Sequence, residues 1–148
     1  MQFTTKFICR AFDRDRKQQA DDIATGHCGH VPDGGGNLRL WSMDDALAEL
    51  YFTDLRAEHH TVRLAGTLAT RLRRAIEKHP EADRLALVTL ENGNRFAIPA
   101  DDIVLTSGFS SGACIREALL IDVRNLRARA ARLIEAAQQI VGEADDAD

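Results

Sequence analysis

Leu119, Val123, Leu126, Ala130, Leu133, Ala137 and Ile140 recur at alternating spacings of four and three residues near the C-terminal end of the chain. That repeat is an apolar heptad seam, and it predicts one long amphipathic helix over about 113–141. Leu120 and Ile134 widen the apolar arc beyond a bare seam, so the helix is expected to close its own domain's core and to leave part of its surface for a second copy of the chain. Leu126→Asp should then cost both fold and assembly, whereas Arg129→Glu should be tolerated. Residues 142–148 are expected to form an acidic, frayed tail.

The other strong local signal is Leu85–Leu90, Glu91-Asn92-Gly93-Asn94 and Arg95–Ile98. Asn-Gly suits the two central positions of a type I′ turn, which predicts a hairpin over 85–98 with a two-residue loop. In that register Thr89 faces Phe96, Leu87 faces Ile98 and Val88 faces Ala97. Both faces of the first strand are apolar and both are expected to be covered.

Phe3–Phe12 is rich in aromatic and β-branched residues and reads as an N-terminal strand. Residues 13–37 read as a loop-rich, flexible region that includes a short helix over 13–23 and a glycine-rich stretch from Gly26 to Asn37. A brief strand over 38–41 follows. Ser42 and Asp45 form a near capping box for a helical tract that Pro80 ends. That tract is either one helix or two with a break near Thr61–Gly66. Ile103–Leu105 could add a short strand. These elements predict a single α+β domain over 1–148, in which a small, largely antiparallel sheet packs against two long helical segments.

A chain of 148 residues can bury a core without disulfides. Three widely spaced cysteines, Cys9, Cys28 and Cys114, are no disulfide framework. There is no apolar run of membrane-spanning length and no secretory signal pattern, so no membrane partner is expected and the cytoplasm is the expected location. The net charge of −4 argues against a molecule that is polyanion-seeking as a whole. The basic residues are 16 Arg and 3 Lys, which fits bidentate recognition of phosphate or carboxylate and equally a genomic composition bias.

Three motifs invite chemical readings. Gly108-Phe109-Ser110-Ser111-Gly112 matches the G-x-S-x-G nucleophile pattern, but no histidine follows His79 to act as base. His27, Cys28 and His30 are zinc- or copper-type ligands in a glycine-rich loop, without a recognised ligand spacing. Pro32–Asn37 resembles an anion nest but lacks the P-loop lysine. No catalytic set is complete and no cofactor is expected.

The remaining pattern is basic. If 56–78 is one helix, Arg56, His60, Arg63, Thr67, Arg71, Arg74 and Lys78 share roughly one quarter of its circumference. Over 56–79, six Arg or Lys side chains less two Glu leave +4. Such a stripe suits nucleic-acid phosphates, an acidic protein surface, or simple solvation. The expected function is a non-catalytic binding or regulatory protein acting through protein–protein contacts, as a homodimer or with another protein. A nucleic-acid-associated regulator using the basic stripe, a metal-binding enzyme or sensor using His27, Cys28 and His30, and a small inhibitor or adaptor of a macromolecular complex are the alternatives.

Overall fold

The computed structural model describes residues 1–35, 38–103 and 114–146, with side chains described as far as residue 140. The elements in chain order are β1 (Phe3–Thr4), α1 (Thr5–Ala11), α2 (Arg16–Ala24), β2 (Leu40–Trp41), α3 (Met43–Ala57), α4 (Val62–Lys78), β3 (Arg84–Leu90), β4 (Arg95–Pro99), β5 (Ile115–Asp122) and α5 (Val123–Asp146). The architecture is α+β. Strands β1 and β2 form an antiparallel pair, and a separate antiparallel sheet has the order β4-β3-β5.

Several segments depart from their sequence reading. Phe3–Phe12 holds only two strand residues, after which Thr4 caps α1 by accepting from the Phe7 amide at 3.2 Å. The helical period wins because Thr5, Ile8, Cys9 and Phe12 all turn into the interior. The C-terminal helix starts at Val123, not near 113. Residues 115–122 form β5, which pairs along β3, and Asp122 ends the strand by accepting the Asn125 amide at 2.9 Å. Non-local pairing with β3 outweighs the helical spacing of Leu119 and Leu120. The third strand expected at Ile103–Leu105 is absent at Ile103; residues 104 and 105 lie outside the described residues, as does the Gly108–Gly112 motif.

The hairpin is present in a different register. Val88 lies opposite Phe96, and Thr89 opposite Arg95. The loop has three residues, closed by Leu90 N donating to Asn94 O at 2.8 Å, and only Gly93 has a positive φ, at 87°. A type I′ turn would need Asn92 there too. The one-residue shift puts Phe96 and Ile98 beside Val88 and Ala86 in a small second cluster, and turns Arg95 to the other face. As expected, β3 is buried on both faces.

The main core lies between the helices and the β3 face that carries Leu85 and Leu87. Trp41, Leu47, Leu72, Ile76, Val123 and Leu126 fill it. The capping box at Ser42 and Asp45 is complete. The tract from 43 to 78 is two helices, α3 and α4, broken at Glu58–Thr61: Thr61 caps α4 by accepting from the Leu64 amide at 3.2 Å, and His59 has φ 69°. Among the described residues no helix is long and apolar enough to cross a membrane.

Candidate nucleic-acid interface

Helices α1 and α2 are joined by the tight connection Phe12–Asp15. Asp13 takes a left-handed φ of 51°, which aspartate tolerates, and the Arg14 amide donates back to Cys9 O at 2.8 Å. Asp15 then caps α2 by accepting from the Gln18 amide at 2.8 Å. Two short helices across a turn of this length share the connectivity of a helix-turn-helix motif.

Helix α2 has little apolar residue of its own to bury: Gln19 and Asp22 are its buried positions. Side-chain bonding holds it instead. The Cys9 thiol donates to Gln19 Oε1 at 3.0 Å, tying α1 to α2. Gln19 Nε2 donates to Glu49 Oε1 at 3.4 Å, reaching α3. Arg14 bridges both helices, with Nη2 on Asp22 and Nε 3.3 Å from Glu49 Oε1. His30 Nε2 lies 2.8 Å from Glu49 Oε2, and the Arg14 guanidinium stacks 4.8 Å over the Phe52 ring. Arg56 Nη2 reaches Asp22 at 3.7 Å from α3. These carboxylates are almost wholly buried, so each depends on its cationic and amide partners.

With its inner face so fixed, α2 presents Arg16, Lys17, Gln18, Ala20, Asp21 and Ala24 to solvent. A hollow of about 270 Å³ beside it is lined by Thr5, Arg16, Gln19, Ala20 and Arg39. Arg39 is anchored by donating to Gly34 O at 2.7 Å. Lys6 and Arg10 on α1 are exposed. Sequence reading missed this surface because α1 was assigned to a strand.

The basic stripe is divided by the helix break. Arg56 and His60 leave it, since Arg56 turns to Asp22 and donates to His60 O at 2.8 Å. Arg63, Thr67, Arg71, Arg74 and Lys78 remain on α4. The hairpin register brings Arg95 to the same side, so Arg71, Arg74, Lys78 and Arg95 line one open groove of about 390 Å³ with Phe96. Arg71 also donates to Val88 O at 3.2 Å, and burial, then repulsion from Arg95, lowers its pKa.

His27, Cys28 and His30 do not converge. His27 is exposed, whereas Cys28 and His30 are buried, and His30 is engaged by Glu49. Among the described residues no group of three His, Cys, Asp or Glu side chains is placed to hold a metal ion. Burial, followed by the nearby Glu49 charge, raises the Cys9 pKa and pushes Cys28 up to about 12. Both shifts disfavour the thiolate, the reactive form of cysteine.

The heptad seam is largely inward. Val123, Leu126, Ala130 and Ala137 are buried in the main core, together with Ile134. Leu133 and Ile140 are 37% and 59% exposed, and Leu119 belongs to β5. Arg129 is not a free surface residue: it forks onto Asp54 of α3 at 2.7 and 3.0 Å, so Arg129→Glu would remove a contact between α5 and α3. Compared with known proteins, the chain matches no protein-family model and no curated protein.

Proposed function

We propose that the protein is a non-catalytic regulator that binds duplex DNA through α2. The observation that carries this reading is a short helix held on its inner face by a buried polar network, with a polar outer face and a helix-turn-helix connection before it. In that motif the second helix enters the major groove while the first crosses the phosphate backbone. Arg16, Lys17 and Gln18 lie in the first turn of α2, which in this reading meets base edges, and Lys6, Arg10 and Arg39 would meet phosphates. The overall negative charge does not oppose this, because affinity follows the local cations and not the molecular sum. The protein–protein reading built on the heptad seam has less support, since most of that seam is spent on the core.

The test is selection from a random duplex pool, followed by anisotropy titration of the enriched site at several salt concentrations. A specific site with affinity that falls steeply as salt rises supports the proposal. Absence of affinity for any duplex at low salt contradicts it.

A further inference from the structure

We infer that β5 is a self-pairing edge, joining two copies of the chain antiparallel about a two-fold axis at Leu119. Strand β5 spans eight residues and pairs with β3 on one side only. Among the described residues no other strand meets its outer edge. Edge strands that stay single are blunted by proline, by inward charges, by bulges or by shortness. The register irregularity of β5 lies at its start, between Ile115 and Glu117, and none of these devices interrupts Ala118–Ile121. Leu119 is 41% exposed on one face and Leu120 61% exposed on the other.

The occupant is a second copy because the strand is complementary to itself. In an antiparallel two-fold pairing, side chains opposite each other share a face, so the paired residue numbers must sum to an even number. With Leu119 on the axis, Leu119 meets its own symmetry mate, and each large Leu120 covers the partner's small Ala118. The pairing also has room on the helix-facing side. A groove of about 500 Å³ follows the strand, lined by Leu119, Leu55, Leu68 and Leu126 together with the charged Asp54 and Glu58. The second copy's Leu119 would enter there. The result is a continuous six-stranded sheet, β4-β3-β5 followed by its symmetry mate. This inference is independent of DNA binding, and either can fail alone.

The experiment combines light scattering with cysteine cross-linking of the full chain. Wild-type protein should show twice the 16.4 kDa chain mass. Leu119→Lys sets like charges against each other on the axis and should return the mass to 16.4 kDa while leaving the far-UV spectrum unchanged. In a Cys114→Ser background, Leu119→Cys should cross-link nearly completely under mild oxidation, since residues opposite each other across paired strands lie about 4.5–5.5 Å apart between Cα atoms, within disulfide reach. Leu120→Cys should not cross-link. A chain-mass monomer at all concentrations, a dimer indifferent to Leu119→Lys, or cross-linking at 120 in place of 119 would each overturn the inference.

Discussion

His30 Nε2 and Glu49 Oε2 stand 2.8 Å apart in the interior, and the other oxygen of the same carboxylate accepts from Gln19 of α2 and lies 3.3 Å from Arg14 Nε, in the turn before it. Glu49 is therefore one point at which α3 holds α2 and the turn before it. Removing one member of a buried charged set leaves the others uncompensated, which costs about 3–5 kcal/mol. Glu49→Ala should lower the urea midpoint accordingly. Hydrogen exchange should show α2 amides losing protection before those of α3 and α4. Unchanged α2 protection would mean that the network does not hold the helix.

Stability should fall on the alkaline side. Burial raises Cys28 from 9.0 and Tyr51 from 10.0, each to about 12. The unfolded chain loses these protons first, so between pH 9 and about 12 the folded state binds more protons. The contribution of both groups is complete below pH 9 and disappears as pH rises through the folded values. Urea midpoints measured at intervals above neutral pH should decline over that window, and the decline should be shallower in a Cys28→Ala, Tyr51→Phe double variant. An identical slope in both proteins would refute this assignment.

Gly66 lies inside α4, where alanine would ordinarily gain about 1 kcal/mol of helix propensity. A Cβ there would sit 2.1 Å from the His27 carbonyl oxygen, a backbone atom that cannot easily retreat. Overpacking of this kind costs about 1–3 kcal/mol, so the clash wins. Gly66→Ala should be destabilising, and it should push the 27–30 loop, and His30 with it, away from Glu49. Thermal melting of the variant checks the sign; a raised midpoint would show that the loop gives way freely.

Legibility followed locality. The position of the hairpin though not its register, the Ser42 capping box, and the helical tract though not the place of its break, rest on short-range patterns and were readable. Thr5, Ile8, Cys9 and Phe12 also sit at helical spacing after a capping Thr4, but strand-favouring composition in the same stretch pointed the other way. Residues 115–122 carry helix-compatible spacing and became a strand through pairing with β3, which no local window contains. Asp122, a good cap just before Val123, was the available signal for the true helix start. The buried network joins Cys9, Arg14, Gln19, Asp22, His30, Glu49 and Arg56, and only the fold brings these together. Read singly, His30 looked like a metal ligand and Arg56 like part of a phosphate stripe.

The most direct test of the central claim sets α2 against α4 on the selected duplex. Lys17→Glu and Arg74→Glu remove exposed cations from the two surfaces without touching the core. If α2 reads the DNA, Lys17→Glu abolishes specific binding, while Arg74→Glu leaves the affinity and its salt slope close to wild type. If Lys17→Glu binds normally and Arg74→Glu does not, α4 is the contact surface and the account is contradicted.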